Sequence, residues 1–180
     1  AEADLIREQL KQKHCDDEGL ITINDRPTTV KTRYLASNQQ LLRTDFESDR
    51  SVTDATAQDL IKAVEKAISE VGAIILSDYG KGALTKSVIQ AVIKAAQKKM
   101  IPVLVDPKGN DYTVYRGASI VTPNRKELSE ATGGLPTKED ADVYEAAQKI
   151  IHDAGIESVV ATRSQDGMTI VERTNEPVHM

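Results

Sequence analysis

The sequence predicts an α/β protein whose mostly parallel sheet is covered by helices on both faces. Two observations carry that prediction. Short apolar runs of buried-strand type, AIIL, IPVLV, ASIVT and SVVAT, recur between residues 73 and 162, with amphipathic helical stretches among them. Each run then ends abruptly in polar residues, as a strand does where it leaves a core. Strands alternating with amphipathic helices build βα units, and such units stack into parallel sheets.

The elements follow in order. Residues 3–13 read as a helix with Leu5, Ile6 and Leu10 on one face. Residues 28–46 read as a hairpin, with TTVKTRYLA and LLRTDF flanking the turn-like SNQQ. Its strands carry more Arg, Thr and Asn than a core hairpin needs. Over 53–71, Ala57, Leu60, Ile61, Val64, Ala67, Ile68 and Val71 trace one helix face. AIIL is a strand closing at Asp78, and residues 85–98 form a helix around Val88, Ile89, Val92 and Ala96. IPVLV closes at Asp106 and ASIVT at Asn124. Helices are predicted over about 124–132 and 137–154, the second with Val143, Ala147, Ile150, Ile151 and Ala154 in register. SVVAT ends at Thr162 and Arg163, and GMTIVE reads as an antiparallel return. The chain thus divides into a hairpin at about 28–46 and an α/β core at about 53–180.

Composition narrows the function. With no Trp and one Phe in 180 residues, the core must be aliphatic. A net charge of -5 with both signs interspersed argues against a nucleic-acid partner, which calls for a basic stripe. No apolar run reaches membrane-spanning length, so no membrane partner is expected. The single Cys15 excludes a disulfide framework and a cysteine metal site, which fits a reducing, cytoplasmic setting. The three histidines show no metal or triad spacing, and no G-x-S-x-G or P-loop pattern occurs.

In open α/β sheets, ligands bind beyond the carboxyl ends of the strands. Here those ends carry Asp78, Asp106, Asn124 and Arg163. Asp78-Tyr79-Gly80-Lys81-Gly82 pairs an acid with a cation, on glycines that let the backbone approach a ligand closely. A plain strand-to-helix turn with a solvated Lys81 explains the same residues. Asp106-Pro107-Lys108-Gly109-Asn110 repeats the pattern, and turn chemistry accounts for its Pro and Gly but not for Lys108. Asn124-Arg125-Lys126-Glu127 has capping-box spacing. A helix start of that kind is also an anion site, and its Glu can hold Mg²⁺ through water, so the two readings are compatible. Thr162 to Gly167 closes the last parallel strand, with Asp166-Gly167 as hairpin-turn chemistry. Arg33, Asn38, Gln39 and Arg43 on the hairpin are either solvated edge residues or contacts to a sugar and its phosphate. A Rossmann-type dehydrogenase is disfavoured, because no G-x-G-x-x-G follows the first strand.

ILSDYGKGALT, PVLVDPKGNDYTVYRGASIVTPNRKELSEATG and VVATRSQDGMTIV, in that order, resemble the ribokinase-like (PfkB) carbohydrate kinases. More narrowly, they are similar to the D-glycero-β-D-manno-heptose 7-phosphate kinase domain of bifunctional ADP-heptose synthases. VKTRYLASNQQLLRTDFE fits that subfamily's lid hairpin. The resemblance spans essentially the whole chain. N-x-x-E is shared across the broad superfamily, whereas SDYGKGALT, DPKG and NQQLLR are more specific.

The resemblance implies a three-layer α/β/α fold with a small β lid. It implies ATP- and Mg²⁺-dependent phosphorylation of heptose 7-phosphate at O1, in the synthesis of ADP-heptose for the lipopolysaccharide core. Asn124, Arg125, Lys126 and Glu127 fall on the family's ATP/Mg²⁺ segment, with Glu127 the magnesium contact through water. Thr162 and Arg163 match the strand end near the nucleotide. Asp78, Lys81, Asp106 and Lys108 match sugar or phosphate contacts, and Arg33, Asn38, Gln39 and Arg43 the lid. By analogy the lid also implies a homodimer. Two family segments do not occur in the chain: the G-G segment near the N-terminus, and the D-T-x-G-A-G-D motif whose last Asp is the catalytic base. The expectation is therefore an internal piece of the kinase domain, with no catalytic residue of its own and the Asp lying beyond Met180. Such a piece is inactive alone, or else is a non-catalytic binding module or folded remnant.

Overall fold

The fold is described from a computed structural model covering residues 2–180. Helix α1 spans Glu2–Gln12 and buries none of its residues. Strands β1 (Val30–Ala36) and β2 (Gln39–Phe46) form an antiparallel hairpin that is almost wholly exposed. Helix α2 (Asp54–Ala67) starts at Thr53, whose hydroxyl accepts from Thr56 N. It ends earlier than its apolar periodicity, and Ile68 is its C-cap.

A six-stranded sheet follows in the order β3-β4-β5-β6-β7-β8. Its strands are β3 (Ile74–Ser77), β4 (Val103–Asp106), β5 (Ile120–Val121), β6 (Ser158–Thr162), β7 (Met168–Glu172) and β8 (Val178–His179). The first four are parallel, and β7 and β8 return antiparallel. Between them run α3 (Lys86–Lys98), a 3-10 turn at Tyr112–Tyr115, α4 (Arg125–Ala131), α5 (Asp140–Ala154) and a second 3-10 turn at Ser164–Asp166. Gly155 ends α5 in the left-handed region, at φ 67, where a β-carbon is disfavoured.

The core joins one sheet face to α3 and α5. Leu76, Val103, Val105, Val121, Val159, Ala161 and Val171 are buried with Val88, Ile89, Val92, Val143, Ala147 and Ile151. Cover of the two faces is uneven. On the opposite face Ile75 is 72% exposed, and Leu104, Ile120, Val160 and Ile170 are half-buried. Sequential strand order explains this: right-handed crossovers between successive neighbours all return over the same side. β8 and the two 3-10 turns have no counterpart in the periodicity, because each is too short to show a period.

Candidate active site at the strand-end rim

Because β3 to β6 are parallel, their carboxyl ends share one edge. Asp78 follows β3, Asp106 closes β4, Asn124 lies beyond β5, and Arg163 follows β6. A parallel bridge between Asn124 and Thr162 draws the last two ends together. All four strand-end residues read from sequence therefore lie along one rim.

Two loops on this rim are tied by a residue the sequence reading did not assign. Tyr115 is fully buried, and its hydroxyl donates to Asp78 Oδ2 at 2.8 Å. The same hydroxyl accepts from Lys108 N at 3.0 Å. Asp78 Oδ1 in turn accepts from Gly80 N at 2.8 Å. Burial pushes the Tyr115 phenol well above its ordinary value; the Lys108 amide opposes this, and the Asp78 carboxylate adds to it. The hydroxyl thus stays protonated and remains a donor. Gly80 lies at φ 63, where a Cβ would stand 3.2 Å from Lys108 Cγ, so the two loops touch.

The capping box is real. Asn124 Oδ1 accepts from Glu127 N at 3.0 Å, and Glu127 Oε2 accepts from Asn124 N at 3.0 Å. Glu127 Oε1 faces Lys108 Nζ at 3.6 Å. Beside it, the Tyr112 hydroxyl is buried with no hydrogen-bond partner, and the ring meets Tyr115 edge-on at 5.8 Å. Burial, then the Glu127 charge, push the Tyr112 phenol upward. Among the described residues no three His, Cys, Asp or Glu side chains gather into a metal cage. A single carboxylate with an oxygen turned to the rim does fit Mg²⁺ held through water, since that ion keeps several waters and leans on substrate phosphates.

The other residues read from sequence at these strand ends divide in use. The Arg125 guanidinium pairs with Asp166 at 2.8 Å and donates to Lys138 O at 3.2 Å, bracing α4 against the turn after β6. Lys126 reaches into solvent beside Glu130. Thr162 is exposed at the strand end. Arg163 is only 7% exposed, and its guanidinium turns beneath the rim onto Asp140 at 2.5 Å and Thr169 at 3.1 Å. Asp106 is exposed, and its carbonyl accepts from Asp78 N at 2.9 Å.

On the hairpin, Arg33 pairs across the ladder with Arg43, and Asn38 and Gln39 stand at the tip and the start of β2. Like charges directly opposite repel. Arg43 is relieved by Asp45 at 2.8 Å. The neighbouring register pairs Tyr34 with Leu42 and Val30 with Phe46, giving an apolar face opposite the charged one.

The hairpin base is fastened to the rim. Arg26 donates to the carbonyls of Arg50 at 2.6 Å, Ser48 at 3.2 Å, and Lys81. Val52 N donates to Gly82 O at 2.9 Å, and a Cβ on Gly82, at φ 77, would stand 2.3 Å from Arg50 O. Lys81 Nζ meets Glu47 Oε1 at 2.5 Å. A cavity of about 1000 Å³ opens here, lined by Lys31, Glu47, Asp78, Tyr79 and Lys81 among others. Tyr112 and Tyr115 carried one usable signal: in a chain with five Tyr and one Phe, two aromatics spaced like one helical turn follow the DPKG loop.

The profile of the pfkB family of carbohydrate kinases matches residues 1–180. The chain belongs to that family. It is 48% identical over 156 residues to the bifunctional protein HldE of Rhodospirillum rubrum, covering 87% of this chain and 31% of that protein. It is 40% identical over 171 residues to the HldE protein of Haemophilus influenzae, covering 95% and 35%. The chain thus spans about a third of the length of these curated relatives. Arabidopsis thaliana ribokinase, solved with ribose and ATP, superposes with a TM-score of 0.73 at 19% identity, over all of this chain and 57% of that one. Ribokinase of Giardia lamblia superposes with a TM-score of 0.76 at 15% identity, over 100% and 55%. These likenesses establish the ribokinase-like fold of this pfkB-family chain. No helix among the described residues is long and apolar enough to cross a membrane.

Proposed function

We propose that this chain carries the ligand-binding rim of a cytoplasmic, ATP-dependent kinase that phosphorylates O1 of D-glycero-D-manno-heptose 7-phosphate. The product, heptose 1,7-bisphosphate, leads to ADP-heptose for the lipopolysaccharide core. One observation carries the reading: Asp78, Lys108, Glu127 and Asn124 are linked through Tyr115 and the capping box into one continuous polar edge. Phosphoryl transfer asks a protein mainly for positioning and charge stabilisation. Asp78 accepts from a sugar hydroxyl, Asp106 borders the same loop pair, and Lys81 and Lys108 meet phosphate oxygens. Asn124, Glu127 and Thr162 face the nucleotide. Arg125 and Arg163 serve from behind, bracing the turn after β6, and Lys126 adds positive charge at the entrance. Mg²⁺, when bound, offsets phosphate charge, and Glu127 holds it through water.

The lid supplies the rest. Arg33, Arg43, Asn38 and Gln39 close over the sugar phosphate, whose charge resolves the Arg33–Arg43 opposition. The apolar face of Tyr34, Leu42 and Phe46 meets a second copy, giving a homodimer.

The D-T-x-G-A-G-D motif does not occur in these 180 residues. By itself, therefore, the chain binds without turning over, because losing a general base together with an anion hole costs several orders of magnitude. Thermal-shift titrations with Mg-ATP and with heptose 7-phosphate test the binding. At 100-fold excess over Kd a ligand adds about 2.7 kcal/mol, which raises Tm by about 5–10 °C in a domain of this size. No shift with either ligand would leave a folded remnant as the correct reading. Normal turnover by the isolated chain would overturn the inactivity.

A further inference from the structure

Resting on the sugar-phosphate reading of this rim, we propose that Lys31 and Lys81 form an anion subsite. Glu47 fills it in the ligand-free protein and is displaced by the substrate's phosphate group.

Three observations carry this. First, one carboxylate is shared by two ammonium groups from different elements: Glu47 Oε1 lies 2.5 Å from Lys81 Nζ, and Oε2 lies 3.2 Å from Lys31 Nζ. The Glu47 side chain is only 18% exposed, against 38% for Lys81 and 34% for Lys31. The acid therefore sits inside the pair rather than out in solvent. Second, the three side chains line the cavity of about 1000 Å³ that also borders Asp78. Third, the spacing of the lysines is set by backbone. Lys31 stands in the β1 ladder opposite Asp45, whose carboxylate also holds its Nζ at 2.9 Å and stays in place when Glu47 leaves, and the Lys81 carbonyl is clamped by Arg26. A site whose walls are fixed loses little on binding. Consistent with the geometry, Lys81 and then Lys31 hold the Glu47 carboxyl below its ordinary value, against the opposing effect of burial.

The chemistry favours exchange. A phosphate monoester carries about 1.5 to 2 negative charges and three strong acceptor oxygens, where the carboxylate offers one charge and two oxygens. Lysine meets phosphate as a point charge and needs no fixed fork geometry. Displaced Glu47 turns out toward solvent, while the Arg26 contacts to Ser48 and Arg50 keep the hairpin base, and with it Lys31, in place.

Calorimetric titration of inorganic phosphate, at constant ionic strength, into wild type and Glu47→Gln tests this. Removing the competing charge is expected to tighten phosphate binding about fivefold, the size set by two partly exposed ion pairs. Lys31→Met or Lys81→Met in the Glu47→Gln background should weaken it about tenfold. Unchanged or weaker binding in Glu47→Gln, with the wild-type urea midpoint retained, overturns the subsite, and so does the absence of measurable phosphate binding in both proteins. If heptose 7-phosphate fails to bind while phosphate still tightens, the sugar reading falls and the subsite stands.

Discussion

Tyr112 and Tyr115 are three residues apart, equally buried and in edge contact, yet removing their hydroxyls should move stability in opposite directions. Tyr115→Phe takes the acceptor from Lys108 N and the donor from Asp78. An unsatisfied, partly buried N–H costs about 1–3 kcal/mol. Asp78 is half-buried and keeps its bond from Gly80 N, so its freed oxygen turns to water and adds less than the stranded amide. The expected loss is about 1.5 kcal/mol, or about 3–6 °C in Tm for a chain of this length. Tyr112→Phe removes a hydroxyl that has no partner. Its desolvation was never offset, so the variant should be neutral or up to about 1 kcal/mol more stable. Equilibrium urea unfolding of both variants reads the pair directly. Amide exchange at Gly80 and Lys108 should quicken in Tyr115→Phe alone. A loss above about 1 kcal/mol in Tyr112→Phe, or a neutral Tyr115→Phe, would refute the assignment of the hydroxyls.

Two further outcomes are expected. Asn124→Ala should destabilise by about 1 kcal/mol through loss of the cap, with Asn124→Asp close to neutral; urea midpoints check this, and equal losses in both would show that the cap is not the cause. At the hairpin base, Lys31 holds Asp45 below its ordinary 3.8, and Lys81 holds Glu47 below its ordinary 4.5. A depressed folded pKa means that these contacts stabilise above the unfolded values and are lost as pH falls through the lower folded ones. The hairpin base should therefore hold throughout the ordinary carboxylate range and open only below it. NMR titration of both carboxyls reads this, and midpoints at or above 3.8 and 4.5 contradict it.

The rim was legible because parallel strands buried in a core must be apolar, so the residue where each run stops marks the edge. Asp78, Asp106, Asn124 and Arg163 were found in this way. The capping box was legible because it is local. What stayed hidden was long-range. No spacing rule reveals that Tyr115 reaches back to Asp78 across 37 positions, or that Arg163 folds under the rim onto Asp140. The pairing of the Arg125 guanidinium with Asp166, 41 positions on, is likewise invisible to local spacing. Lys31 and Glu47 also escaped, because their meeting with each other depends on the hairpin register and with Lys81 on a loop far along the chain.

The close packing of Gly82 against Arg50 bears on how such a chain can change length. The hairpin tip, where Ser37 and Asn38 turn in solvent, can gain or lose residues without disturbing any neighbour. The base cannot, because Val52 and Gly82 share a backbone hydrogen bond and Arg26 grips three carbonyls from two segments. Variation in hairpin size among homologues should therefore collect at the tip, while the segments 47–52 and 80–84 keep a fixed residue count. A hairpin of any length would then enter the rim at the same place and the same angle.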